Sequence, residues 1–225
     1  MNVKSTEPDV KEKGRRYRGV SNEARKTERR LKLIQAGIKI FGRDGYHAAT
    51  VKGLCQEAGL TERYFYESFA NAEALFTACY LHITEAIKAE LQSVLLTTQE
   101  DDLELAAVRG LTVFFSHFKA RPEAARILLV EVLTVNKRLE ELSLRTLYGF
   151  VDMLETLAKP LIAQHNKDDR LDSALLASGL VGSVLYMAAR WSLEGSRKPV
   201  EHVVDNAMLI FRGVAVSLAL PANPA

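Results

Sequence analysis

Apolar residues in this chain recur every three or four positions, and no stretch alternates with the period of two that a half-buried strand would show. Leu31, Ile34, Ile38 and Phe41 form one such stripe, predicting a helix from about Thr27 to Arg43 that stops at Asp44-Gly45. Asn71 is a good capping residue, and Leu75, Phe76, Cys79, Ile83, Ile87 and Leu91 behind it predict a long helix. Further helices are predicted over Leu103–Lys119, from Pro122 to about Val135, and from Lys137 to about Gln164, where Pro160 is expected to kink the helix or end it early. Two more run from about Arg170 to Leu193 and from Pro199 to Leu220. Polar or Gly/Pro-bearing breaks separate them at Gln99–Asp102, Asn166–Asp169 and Gly195–Pro199, with a frayed tail from Pro221. The expected fold class is all-α, and no internal repeat is visible.

Between the first stripe and Asn71 lies the segment TVKGLCQEAGLTERYFYESF, residues 50–69. Thr50 opens a short helix whose apolar face is Val51, Leu54, Cys55 and Ala58. Gly59 ends it, since glycine enters the left-handed region without steric cost. Leu60 plugs the angle, and Thr61 is expected to cap a second helix with Phe65 and Phe69 inside. Its outer face starts with Glu62, Arg63 and Tyr64. Two short helices around such a turn form a helix-turn-helix, which reads bases from the start of its second helix.

Charge changes the picture once it is split along the chain. The net charge is only +2, yet residues 1–80 hold fifteen Lys/Arg against ten Asp/Glu, and residues 81–225 fifteen against eighteen. The positive excess accompanies the helix-turn-helix, as a phosphate-bearing partner requires. It is densest at Lys11, Lys13, Arg15, Arg16, Arg18, Arg25, Lys26, Arg29 and Arg30. Residues 1–26 are therefore expected to be a flexible basic arm, either lying on DNA or merely a solvated tail.

The segment from about Thr27 to Ile87 resembles the DNA-binding domain of the tetracycline-repressor (TetR) family. The resemblance rests on the first apolar stripe, Gly45-Tyr46, Thr50-Val51, Ala58-Gly59-Leu60-Thr61, Tyr66, Phe69, Glu73 and Leu75. It implies a three-helix DNA-binding domain over residues 27–87 and a helical ligand-binding and dimerisation domain over residues 88–225. It also implies a homodimer joined through the last two helices, a palindromic double-stranded DNA operator and repression relieved by a small molecule. In such a dimer two recognition helices about 34–36 Å apart meet half-sites one DNA turn apart. Two departures stand out. Ser68 replaces a frequent family histidine, and Ala72 a frequent lysine, both usual phosphate contacts.

Seven residues are candidate DNA contacts: Thr50, Lys52, Thr61, Glu62, Arg63, Tyr64 and Tyr66. The resemblance assigns Thr50 and Tyr66 to the backbone. Arg63 has the fork geometry for guanine O6 and N7, or for a phosphate. Tyr64 suits a thymine methyl or a phosphate. Glu62 can accept from cytosine N4, or simply complement the helix N-terminus. Lys52 is a further candidate for a phosphate.

The second domain offers an apolar or aromatic effector Phe114, Phe118, Tyr148, Met153, Tyr186, Met187 and Trp191, with His117 and Arg190 as polar handles. All nine also fit plain core packing. The stripe Ala174, Ser178, Gly182, with Leu175, Val181 and Leu185 beside it, and Val203, Ala207, Ile210, Phe211 and Val214 on the last helix suit close packing between two chains.

No catalytic, metal or cofactor constellation is visible. The histidines 47, 82, 117, 165 and 202 are scattered, and HExxH, G-x-S-x-G and phosphate-loop motifs are missing. Cys55 and Cys79 lack CxxC spacing and are expected to be buried thiols. The uncharged run Ala174–Ala189 is shorter than the roughly 20 residues of a membrane span, and residues 1–14 have no apolar core, so a cytoplasmic location is expected. A helical small-molecule adaptor that has lost DNA binding is the alternative reading.

Overall fold

A computed structural model describes residues 13–96, 103–165 and 172–219. Among these residues there are only helices, nine of them, joined by turns. They are α1 (Lys13–Asp44), α2 (Val51–Ala58), α3 (Glu62–Ser68), α4 (Ala72–Leu96), α5 (Leu103–Ala120), α6 (Pro122–Arg126, Ile127–Glu131 and Val132–Val135 run together), α7 (Lys137–His165), α8 (Ser173–Leu193) and α9 (Val200–Ala219). The all-α expectation holds. The expected breaks at residues 99–102 and 166–169, the tail from Pro221 and the first twelve residues of the basic arm lie outside the described residues.

Two helix boundaries or shapes differ from expectation. First, α1 starts at Lys13 and not near Thr27, so part of the expected arm is helical. The apolar stripe marks only the portion that packs. Once that portion is held, the helix propagates cheaply through Glu23-Ala24-Arg25-Lys26, all fair helix formers with no glycine or proline among them. An i,i+4 pair between Lys32 Nζ and Glu28, at 2.8 Å, adds to it, and the same bond lowers the Glu28 carboxyl below its ordinary value. Second, α6 contains a π turn at Ile127–Glu131, which the apolar periodicity does not announce. Helix α7 runs to His165, matching the expected span to about Gln164, and does not end early at Pro160.

The first unit packs α1, α2, α3 and the start of α4 around Leu33, Phe41, Leu54, Phe65, Leu75 and Phe76, each of them fully buried. Phe41, Tyr46 and Phe76 form an aromatic cluster, with ring centroids 5.2–5.8 Å apart. Cys79 is fully buried on α4 and donates to the Ile34 carbonyl at 3.4 Å; burial pushes its thiol far above the usual range. Both cysteines are free and buried, as expected.

Helix α4 continues past residue 87, as its apolar stripe through Leu91 predicts. It runs through to Leu96 and belongs to both units. Phe76 sits in the first core, and Leu91 lines a cavity in the second, fifteen residues or about 22 Å along the same rod. Helices α5 to α9 build that second unit, with Phe114, Phe115, Phe118, Ile127, Ala188, Trp191 and Ala207 in its core.

Candidate DNA-binding interface and effector cavity

The turn between α2 and α3 has the geometry that its residue types dictate. The Thr50 backbone is extended and its Oγ1 accepts the Gly53 amide at 3.1 Å, which satisfies one of the free amides of the first turn. Gly59 sits at φ 63°, ψ 34°, in the left-handed region. Its amide donates to the Gln56 carbonyl at 3.2 Å, and the Leu60 amide to the Cys55 carbonyl at 2.9 Å, closing α2. Leu60 packs on the core, as a plug should. Thr61 stands at the N-cap of α3 with extended backbone, but its side chain makes no cap hydrogen bond, which corrects the expected capping role. Its hydroxyl is exposed.

The candidate contacts lie on the outer side of this unit. Thr50, Lys52, Thr61, Glu62, Arg63 and Tyr66 are exposed, and Tyr64 is half-buried. The Arg63 side chain is 84% exposed, and its Nε donates to Glu67 Oε1 at 3.1 Å. Ser68, where the family often has histidine, instead gives its carbonyl to Arg30 Nη1 at 2.9 Å. Arg30 also covers the Phe69 ring at 4.2 Å, so α1 holds the C-terminal end of α3.

A second cluster joins the two units. Glu131 is buried in the π turn of α6, and its Oε2 accepts the Tyr46 amide at 3.0 Å. Its Oε1 accepts Arg126 Nε at 3.0 Å, while Arg126 Nη1 donates to the Arg43 carbonyl at 2.9 Å. His47 Nε2 lies 3.1 Å from the Thr134 carbonyl. The C-terminus of α1 and the turn leading to α2 are thus tied to α6 by charge-assisted bonds. Gly45 turns there at φ 88°, and Glu131 would lie 3.3 Å from a β-carbon at that position. Sequence reasoning missed this joint. A readable signal was present, because Glu131 is the one charge in the apolar run ILLVEVLTV.

The second unit holds a partly open cavity of about 270 Å³ between α4, α5, α7, α8 and α9. Leu91, Leu111, Phe114, Phe150, Met153, Val184 and Met208 give it an apolar wall. Its polar lining residues are Glu104, Ser173 and Arg212. Arg212 donates to Glu104 Oε1 from Nε at 2.9 Å and from Nη2 at 2.6 Å, and Ser173 Oγ donates to Glu155 at 2.7 Å.

Of the nine residues expected to line an effector site, the structure places Phe114 and Met153 on this cavity. Phe118 lies in the core behind Phe114, with centroids 4.9 Å apart. His117 is buried away from the cavity and bonds Glu90 through Nδ1 at 2.9 Å. Trp191 is core, its indole donating to the Lys198 carbonyl at 3.1 Å, and Met187 packs against that core. Tyr148 and Tyr186 are exposed, and Arg190 pairs with Glu194 on the surface at 3.0 Å. The periodicity identified apolar faces on these helices but not which face meets a void, since that depends on helix crossing.

The fold and this surface define a helix-turn-helix DNA-binding regulator with a helical companion domain. Residues 33–79 match the family model for bacterial regulatory proteins of the tetR family, so the helix-turn-helix unit is similar to the DNA-binding domain of that family. The chain is 26% identical over 200 residues to the uncharacterized HTH-type transcriptional regulator YdgC of Bacillus subtilis (strain 168), covering 83% of this chain and 93% of that one. Its fold is similar to that of the fatty acid degradation regulator FadR from Bacillus halodurans (TM-score 0.71, 18% identity, 80% and 92% of the two chains). It is also similar to FadR from Bacillus subtilis, solved in complex with stearoyl-CoA (TM-score 0.69, 15% identity, 80% and 96%).

Proposed function

We propose that the protein is a homodimeric, ligand-responsive repressor that binds a palindromic operator in the cytoplasm and releases it when an apolar ligand fills the second domain. The observation that carries this reading is the shared helix α4, which packs into the DNA-binding core at one end and walls the cavity at the other. A ligand that favours one tilt of that rod biases the spacing of two recognition helices, provided that it binds the DNA-incompetent state better. Residues 27–87 then act as the DNA-binding domain and 88–225 as the effector and dimerisation domain. Thr50, Lys52, Thr61, Tyr64 and Tyr66 would meet the DNA, Arg63 would read a base, and the basic start of α1 would lie near the backbone.

Dimerisation is supported by the outer face of α8. Leu175 and Tyr186 are 71% and 72% exposed, and a β-carbon at Gly179 or Gly182 would meet nothing within 4 Å. On α9, Leu209 and Val216 are also exposed, with Gly213 between them. Length and composition alone would let α8 cross a bilayer. The glycine-bearing apolar stripe beside a matching one on α9 suits a second copy, where small residues let helices approach closely.

The ligand is argued from the cavity. Its volume of about 270 Å³ stands near the small end of ligand sites, ~300–1,000 Å³. The apolar wall suits a slender hydrocarbon chain, and an anionic end on it would reach Arg212 by displacing Glu104. The similarly folded Bacillus subtilis FadR with stearoyl-CoA points the same way. A fluorescent long-chain fatty acid should bind in the micromolar range, be displaced by acyl-CoA and release bound DNA. Absence of probe binding, or binding that leaves the DNA complex intact, would contradict this part of the reading.

A further inference from the structure

On the outer face of the DNA-binding unit, α1 and α3 share one charged and aromatic array. Arg63 spends its Nε on Glu67 Oε1, at 3.1 Å. The other carboxylate oxygen of Glu67 lies 3.8 Å from Arg29 Nη2 on α1. The Arg29 guanidinium in turn lies 4.4 Å from the centroid of the Tyr64 ring. The exposures follow this order. Arg29 is anchored, with 21% of its side chain exposed, whereas Glu67 has 38% and Arg63 84%.

We infer that Glu67 is a specificity-determining positioning residue, which holds the Arg63 fork for a base and disfavours binding to phosphate alone. The inference rests on reading Arg63 as the base contact. A guanidinium offers five donors in a fixed plane. A bond through Nε leaves the two terminal Nη groups, the pair that matches O6 and N7 of guanine. A free arginine side chain must be ordered on binding, and one already held by a carboxylate loses less freedom. In a non-specific complex Arg63 has only phosphates to bind, and the carboxylate on its Nε competes with them, whereas at a guanine both Nη groups stay engaged. Both effects raise the ratio of specific to non-specific affinity, by different routes. Arg29 fixes the carboxylate to the rigid α1 and fixes the Tyr64 ring beside it.

The two routes separate in a comparison of wild-type, E67A, E67Q and R63A proteins, each passed over randomised duplex DNA with the retained pools sequenced, followed by titration of the wild-type consensus and a scrambled duplex. Melting curves check that each variant is folded. In E67A the preference for the base read by Arg63 should weaken, and the consensus-to-scrambled ratio should fall about tenfold. Glutamine keeps an acceptor for Nε without the charge. E67Q should retain the base preference and lose only part of the ratio, through tighter scrambled binding. An E67A ratio within twofold of wild type, while R63A abolishes the preference, would overturn the inference and leave the Arg63 reading standing. An R63A pool unchanged from wild type, or a wild-type pool that stays random, would remove the Arg63 reading and this inference with it.

Discussion

Glu131→Ala is expected to cost about 2–3 kcal/mol of stability, because it strips the Tyr46 amide and the Arg126 guanidinium of a shared partner in a half-buried joint. The magnitude follows from what is left behind. A buried amide without an acceptor costs about 1–3 kcal/mol. Breaking a fully buried ion pair costs about 3–5 kcal/mol. The second figure must be discounted here, because the Arg126 side chain is 43% exposed and water can take over part of its hydration. Glu131→Gln should lose less, since its amide oxygen still accepts one of the two bonds. Urea unfolding of the three proteins checks this ordering, and equal stability in all three would show that the carboxylate does not hold the joint. The joint also lies between the cavity domain and the turn leading into α2. A weakened joint should therefore lower the ligand's effect on DNA binding more than it lowers DNA affinity.

Gly42→Ala should be at least as damaging, although it adds one methyl group. A β-carbon there would lie 2.4 Å from Glu123 Cβ, 2.5 Å from its Cα and 2.6 Å from its carbonyl oxygen. Two of those three atoms are backbone, so no rotamer change relieves the overlap. The helix α6 must move off α1, or α1 must bend. Overpacking of this kind costs about 1–3 kcal/mol, occasionally more. Gly37 provides a contrast, because its added β-carbon would meet the Cys79 sulfur at 2.7 Å and otherwise side chains that can give way. Gly42→Ala should thus exceed Gly37→Ala in a thermal unfolding comparison, and the reverse order would contradict the close approach of α1 to α6.

The helix-turn-helix was legible in the sequence because its determinants are local. Thr50 caps through its own side chain, Gly59 needs the left-handed region, and Phe65 and Phe69 repeat at fourfold spacing. Elsewhere the determinants are not local. The early start of α1 has no apolar stripe to announce it, because the helix extends past its packed portion as a charged rod. The cavity wall mixes residues from five helices, and spacing within any one of them does not show which side faces a void. Thus Phe114 and Met153 reach the cavity, whereas Phe118, one turn from Phe114, packs behind it. The Glu131 joint pairs residues 85 positions apart. A lone acid in an apolar helix signals that a partner exists, but not that the partner is a backbone amide at Tyr46.

The central claim is that this fold reads DNA sequence as a twofold dimer. Its most direct test is selection from randomised duplex DNA by the full-length protein, with the affinity of the enriched sequence then followed against salt. The account predicts one palindrome, with half-sites about 10 base pairs apart centre to centre, and an affinity that falls linearly on a log–log salt plot. A pool that stays random, or an enriched sequence with no inverted symmetry, would contradict it.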